Sequence, residues 1–334
     1  MSQLGDRSAQ PVGNPSCIVV GGGISGLISA TLLQHQGIKV TVLDKGRGIG
    51  GRLATRRIRH SKSVEGVFDY GTQYFSVKQS DFQIWIDDWL ERGIIKQWCR
   101  GFDEADGKPR YCGVGGTRGI AKYLAKDLDV RTGTRVVKLN YDRNWSIETE
   151  DNKFQGDFLL MTPPVPQSLT LLDDSGIALP SDIREALERV SYHPCIAVLA
   201  LLEQPSNIPP PGGMAITDEP LVWLADNYQK GISPQGYAVT LHATPSFSNQ
   251  HWECSDAEIA RKLFAAASPW LTPAIEYQVH RWRYSLPKSY YSQPHMTLSD
   301  LSLTLAGDAF VAPKIEGAVL SGMAAAKSII DLAS

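Results

Sequence analysis

Apolar positions along this chain change their period repeatedly, and each change predicts an element. Ile18 to Val20 is a short β-branched run, Leu27 to His35 is helical, and Lys39 to Leu43 returns to a strand pattern. Phe82, Trp85, Ile86, Trp89 and Leu90 share one face of a helix predicted from a capping Ser80 through Arg92, with Gly93 just past its end. That aromatic stripe reads as core. Thr132 to Val137 reads as a strand, Ser146 to Leu160 as an alternating hairpin-like run, and Pro163 to Pro166 as a turn leaving it. Four runs rich in β-branched and aromatic residues predict further strands: Cys195–Leu202, Leu221–Tyr228, Tyr237–Thr244 and Ile275–Ser285. Ser255-Asp-Ala-Glu258 is a capping box for a helix reaching about Leu271. A last apolar strand ends at Gly307-Asp308, before a small-residue helix over Val319–Leu332. Together these predict an α/β chain, with one unit assembled from separated segments and a second unit built on a mostly antiparallel sheet backed by helices.

The turn after the first strand carries the chemistry. Gly21, Gly23 and Gly26 fit G-x-G-x-x-G between strand and helix, and Asp44 ends the next strand. In such a turn the first glycine bends the chain, the second admits a pyrophosphate, and the third lets helix and strand pack closely. The helix start, at Ile24 and Ser25, offers free N–H groups to phosphate. Asp44, followed by Lys45, is placed to accept from ribose hydroxyls, and its charge disfavours a 2′-phosphate. The next loop, Lys45 to Arg57, brings a second glycine pair and Arg52, whose fork suits phosphate oxygens. Far away, Asp308 and the segment Glu316-Gly317-Ala318 suit a polyol chain and a polar ring edge. Two sites at opposite chain ends fit FAD better than a nicotinamide cofactor.

These pieces, with Gly50-Gly51-Arg52-Leu-Ala-Thr-Arg56, Phe68-Asp-Tyr-Gly71-Thr72-Gln73-Tyr74-Phe75, Thr162-Pro-Pro-Val-Pro-Gln167, Val239-Thr-Leu-His242 and Arg281-Trp282-Arg283-Tyr284-Ser285, resemble flavin-dependent amine-oxidase-type oxidoreductases, and among them the renalase family. The likeness covers nearly everything after about residue 15. It implies a Rossmann-type FAD-binding domain of the glutathione-reductase and amine-oxidase type. It also carries FAD contacts to Ile24, Asp44, Arg52, Gly71, Thr72, Val136 and Asp308. It further implies an oxidase of isomeric dihydronicotinamide dinucleotides, passing hydride to flavin N5 and then to O2 with hydrogen peroxide as product. An amine oxidase is the nearest rival, and a flavin-binding redox sensor without turnover is a third reading. Some relatives hold flavin through a C-terminal cysteine, but the last cysteine here is Cys254, so FAD is expected to be noncovalent.

Candidates for the reaction site are Gln73, His242, Trp282 and Tyr284. Strand alternation puts Trp282 and Tyr284 on one face, either as a π surface for a flat ring or as sheet core. His242 stands in an apolar strand, either as a hydrogen-bonded core residue or as a group that polarises substrate. Arg281 and Arg283 are open between contacting a dinucleotide's phosphates and ion pairing.

Bulk properties narrow the setting. The 334 residues suffice for two joined domains: residues 1–15 as a flexible tail, 16–79, 111–164 and 296–334 as the FAD unit, and 80–110 and 165–295 as the substrate unit. A net charge of −2 argues against nucleic acid as partner for the Arg47–Arg59 cluster. The longest apolar run, Cys195–Leu202, is far short of the roughly 20 residues that cross a membrane. The polar start shows no secretory pattern. Five dispersed cysteines suit a reducing cytoplasm, and neither they nor the seven histidines show metal-site spacing, so no metal is expected.

Overall fold

The dinucleotide motif sits on a six-stranded sheet ordered Met296–Leu298, Leu303–Leu305, Phe158–Met161, Ser16–Val20, Lys39–Leu43, Asp129–Arg131. The last five strands are parallel, and only the Met296–Leu298 edge is antiparallel. The structure, a computed structural model, describes residues 14–102 and 106–334, so most of the tail read at 1–15 lies outside the described residues. Strands from near residue 20, near 160 and near 305 thus become neighbours, and their C-terminal ends open on one side. The helices Ile24–His35 and Lys314–Ala333 pack together on this sheet. Ser29 Oγ donates to the Gly322 carbonyl at 2.8 Å, and a Cβ on Gly322 would stand 2.5 Å from the Ser25 carbonyl oxygen.

The second sheet is antiparallel throughout, ordered Gly213–Ala215, Leu221–Asp226, Tyr237–Ala243, Tyr192–Leu202, Ala274–Pro287. One face packs on the helices Pro245–Gln250 and Asp256–Ala266 through Ile196, Val198, Phe247, Ile259 and Leu263. The other meets the hairpin Thr55–Arg59 and Glu65–Asp69 through Ile58, Phe68, Ala197, Leu199 and Leu201. Burial on both faces explains why Cys195–Leu202 reads as an unbroken apolar run rather than an alternating one.

Local departures have local causes. Residues 132–135 are a turn, not a strand, because Gly133 adopts φ +64° and the ladder restarts at Val136. The Ser146–Leu160 run divides into three strands, the last of which, Phe158–Met161, joins the parallel sheet. The helix Asp256–Ala266 starts where Ser255 caps it, with Oγ accepting from Glu258 N, but stops short of Leu271 before Ser268-Pro269. Helix Ser80–Glu91 has Gln79, not Ser80, at its cap position. Its apolar face, Phe82, Ile86 and Trp89, lies in one cluster with Leu27, Ile28 and Val319 of the parallel-sheet helices. Val165, Leu169, Leu172 and Leu187 likewise pack with Ile18, Leu43 and Leu159.

Candidate active site

A cavity of about 2670 Å³ runs from the first glycine turn to the antiparallel sheet. Single small-molecule sites take roughly 300–1,000 Å³, so this one has room for a dinucleotide and a second ligand.

At its first end the three glycines do three different jobs. Gly21 turns at φ +107°, and its N–H donates to the Leu43 carbonyl at 2.8 Å. A Cβ on Gly26 would run into the Gly21 carbonyl oxygen, so the helix can approach the turn only without one. A Cβ on Gly23 would meet nothing within 4 Å. That open space lies beside the first turn of the helix, where Ser25 is 5% exposed and its hydroxyl has no partner among the described residues. Free N–H groups, an unpartnered hydroxyl and a Cβ-free cradle fit a pyrophosphate, as FAD requires. Ile24, Val136, Gly71, Thr72, Gly317 and Ala318 also line the cavity.

Several residues expected on the cofactor are engaged with protein. Asp44 accepts from Gly22 N and Gly46 N, both at 2.6 Å, so its carboxylate fixes both loops while lining the cavity. Lys45 Nζ donates to Gln167 Oε1 at 3.0 Å. Arg52, which the sequence places on phosphate oxygens, forks instead onto Asp308 at 2.5 and 2.7 Å and donates to the Ser285 carbonyl at 3.2 Å. A planar fork matches a carboxylate in two parallel bonds, and the sheet delivers Asp308 beside the glycine loop. Glu316 Oε1 accepts from Lys78 N and Gln79 N at 2.7 and 2.8 Å, so it ties down the segment that leads into the helix Ser80–Glu91 while lining the cavity.

The far end is built around the backbone of Tyr70. Its carbonyl accepts from His242 Nε2 at 3.1 Å and from Trp282 Nε1 at 2.8 Å. Because a carbonyl can only accept, His242 carries its proton on Nε2 and keeps a lone pair on Nδ1. Burial pushes the His242 pKa down to about 4, so the ring is neutral at ordinary pH. The Tyr70 and Trp282 rings stack at 5.3 Å and 23°, and His280 meets Trp282 edge-on at 4.3 Å. Burial and then Arg56 lower the His280 pKa to about 4 as well.

Tyr284 lines the same cavity, with its ring set edge-on to Tyr192. The strand pairing slips between His193 and Cys195, and Tyr284 turns to Tyr192 at 5.5 Å. The π pair is therefore Tyr70–Trp282, correcting Trp282–Tyr284. Gln73 Nε2 donates to the Asp69 and Gly71 carbonyls at 2.7 and 3.2 Å, leaving its buried Oε1 without a donor among the described residues. Arg281 resolves toward ion pairing: it holds Asp256 Oδ1 at 2.7 Å and the Trp252 and Cys254 carbonyls.

Sequence reasoning overlooks Asp69, Lys230 and Arg56. Lys230 and Asp69 form an ion pair of 2.8 Å with both side chains fully buried. Asp69 sits in a motif quoted above, and a charge ending the apolar Val67-Phe68 run is a readable signal; Lys230, in a polar loop, offers none. The carboxylates lining the cavity are Asp44, Glu150, Asp174, Asp308 and Glu316. None comes from the hairpin or the antiparallel sheet, which instead contribute Arg56, Arg57, Arg281 and Arg283.

Residues 19–89 match an NAD(P)-binding Rossmann-like domain, and residues 71–330 match the flavin containing amine oxidoreductase family. The chain belongs to the flavin-containing amine oxidoreductases. Lysine-specific histone demethylase 1 homolog 1 of Arabidopsis thaliana is 38% identical over 65 residues, 20% of this chain and 8% of that protein. Carotenoid phi-ring synthase of Streptomyces griseus is 50% identical over 40 residues, 12% of this chain and 8% of that one. The chain thus spans only a small part of either relative. Over almost its whole length this amine oxidoreductase shares a fold with a putative protoporphyrinogen oxidase from Exiguobacterium sp. 255-15. The TM-score is 0.71 at 13% identity, covering 96% and 98% of the two chains. Putrescine oxidase gives TM-score 0.71 at 14% identity, covering 95% and 99%. Among the described residues no helix is long and apolar enough to cross a membrane.

Proposed function

We propose that this flavoprotein is a renalase-like oxidase of isomeric dihydronicotinamide dinucleotides, with O2 as acceptor and hydrogen peroxide and the oxidised nucleotide as products. The observation that carries this reading is the far end of the cavity: a flat Tyr70–Trp282 pair, a neutral His242 and a rim of arginines to which the hairpin and the antiparallel sheet add no carboxylate among the described residues. Such a wall favours a flat ring bearing anionic groups over an ammonium ion. Bound FAD would supply the hydride acceptor and the route for the electrons to oxygen.

The chain's own residues position and shield. Ser25 and the first turn of the helix Ile24–His35 hold phosphate, and the strand ends at Asp44 and Asp308 bracket the two halves of FAD. Tyr70 and Trp282 offer a stacking face, held rigid because His242 and Trp282 both bond the Tyr70 carbonyl. His242 Nδ1 and Gln73 Oε1 are acceptors suited to a carboxamide N–H. Oxidation restores an aromatic pyridinium, so no strong base is needed, and a neutral histidine suffices. Among the described residues Cys195 is the cysteine lining the cavity, and burial pushes its thiol up to about 12, which supports noncovalent FAD. We assign the antiparallel sheet to the substrate unit, and we move the helices Ser80–Glu91, Val165–Asp174 and Ser181–Glu188 from the substrate unit expected at 80–110 and 165–295 to the cofactor unit, because their apolar faces pack with the parallel sheet and its helices. The site is assigned to a soluble, cytoplasmic protein.

Amine oxidation is the second reading, favoured by the family's description and by the putrescine and cyclohexylamine oxidases that share the fold. Anaerobic mixing of the holoenzyme with isomeric dihydronicotinamides, ordinary NADH and amines separates the two. Rapid bleaching of the flavin by the isomers supports our reading; bleaching by amines alone refutes it.

A further inference from the structure

Among the described residues, Arg56 and Arg283 are the cavity-lining arginines of the hairpin and the antiparallel sheet that hold no carboxylate. Arg56 lies in the hairpin strand Thr55–Arg59, with its guanidinium 4.8 Å from the Tyr70 ring centre. Its Nη1 donates to Gln278 Oε1 at 3.1 Å, and no carboxylate pairs with it among the described residues. Its neighbours differ. Arg52 holds Asp308, Arg57 and Arg59 share Glu65, Arg281 holds Asp256, and Arg283 lies 5.0 Å over the Trp252 ring. Arg56 therefore carries an uncompensated charge at the edge of the aromatic pair, on the wall of the cavity.

We propose that Arg56 is the anchor for the phosphate on the ribose of the nicotinamide nucleotide, and so sets the preference of this site for phosphorylated over unphosphorylated nicotinamides. This rests on the substrate class proposed above. The stack on Tyr70 fixes the plane of the guanidinium, and Gln278 holds one of its nitrogens. The remaining N–H groups form a fork that can donate to two phosphate oxygens. Tyr70 links the two recognition elements: one residue orients Trp282 for the ring and Arg56 for the anion. No carboxylate from the hairpin or the antiparallel sheet competes for the fork or repels the phosphate.

The test compares oxidised nicotinamide riboside with nicotinamide mononucleotide, which differ by the phosphate alone, binding to the holoenzyme. Binding is read from perturbation of the flavin absorption, so turnover is not required. Wild-type protein should bind the mononucleotide about tenfold more tightly, the size of one charge-assisted contact at a half-exposed site. Arg56→Gln should abolish that preference while leaving riboside affinity within about twofold, and Arg56→Lys should restore part of it. Equal wild-type affinities, or equal weakening of both ligands in Arg56→Gln, would overturn the assignment. A phosphate preference that depends on Arg56, in an enzyme whose flavin no dihydronicotinamide reduces, would keep the anion subsite and sink the proposed reaction instead.

Discussion

Lys230→Met should be among the most destabilising single changes in the antiparallel sheet's loops, despite lying outside the cavity lining. Lys230 Nζ is the only donor to Asp69 Oδ2 among the described residues, at 2.8 Å, and both side chains are fully buried. Asp69 Oδ1 is separately satisfied by Thr55 Oγ1, Thr117 N and Thr117 Oγ1 at 2.6, 2.9 and 3.1 Å. Methionine fills most of the volume but strands one carboxylate oxygen in the interior. Removing one member of a buried pair costs roughly 3–5 kcal/mol. At about 2 °C per kcal/mol for a chain of this size, the melting temperature should fall by about 6–10 °C. Calorimetry with FAD in equal excess over both proteins measures this without a difference in ligand occupancy. Asp69→Asn/Lys230→Met removes the stranded charge and should recover at least about 1.5 kcal/mol relative to Lys230→Met alone. A loss below about 1 kcal/mol, or strict additivity in the cycle, would refute the claim that this pair holds the Asp69–Gly71 segment.

The two helix-turn glycines should separate binding from folding. Gly26→Ala should destabilise the apoprotein, whereas Gly23→Ala should leave its melting temperature unchanged and weaken FAD retention at least tenfold by titration, roughly the 1.4 kcal/mol of one lost contact. Asp308→Asn removes the charge that Arg52 grips and should cost about 2 kcal/mol in denaturant unfolding. His242 should show no titration near neutrality: with its folded pKa near 4, it should add no limb above about pH 5 to a profile of kcat/KM. The unfolded ring takes its proton near pH 6.5, so stability from the neutral His242 is complete above that and is lost as pH falls toward 4. A limb between pH 6 and 7 that vanishes in His242→Asn would contradict the buried, neutral ring.

Much of the architecture was readable because it is local. Turn, helix and strand around Gly21–Leu43 lie within about two dozen residues, and each glycine answers a steric need set by its neighbours. Ser255 caps its helix through a residue three positions away. What the sequence does not show are partners that only the fold supplies. Arg52 and Asp308 are 256 positions apart, and Glu316 holds the backbone of Lys78 and Gln79. Tyr284 obeys strand alternation on paper, but a slipped register beside His193 carries it to Tyr192. Lys230 looks like a solvent-facing loop lysine until Asp69 is brought to it.

The central claim is that residues from both ends of the chain grip one FAD without a covalent bond. Its most direct measurement is the flavin content of the purified protein before and after acid denaturation. The account predicts a yellow protein that releases one FAD per chain into the supernatant. Colourless protein that stays colourless after incubation with FAD, or flavin that remains with the precipitate, would contradict it.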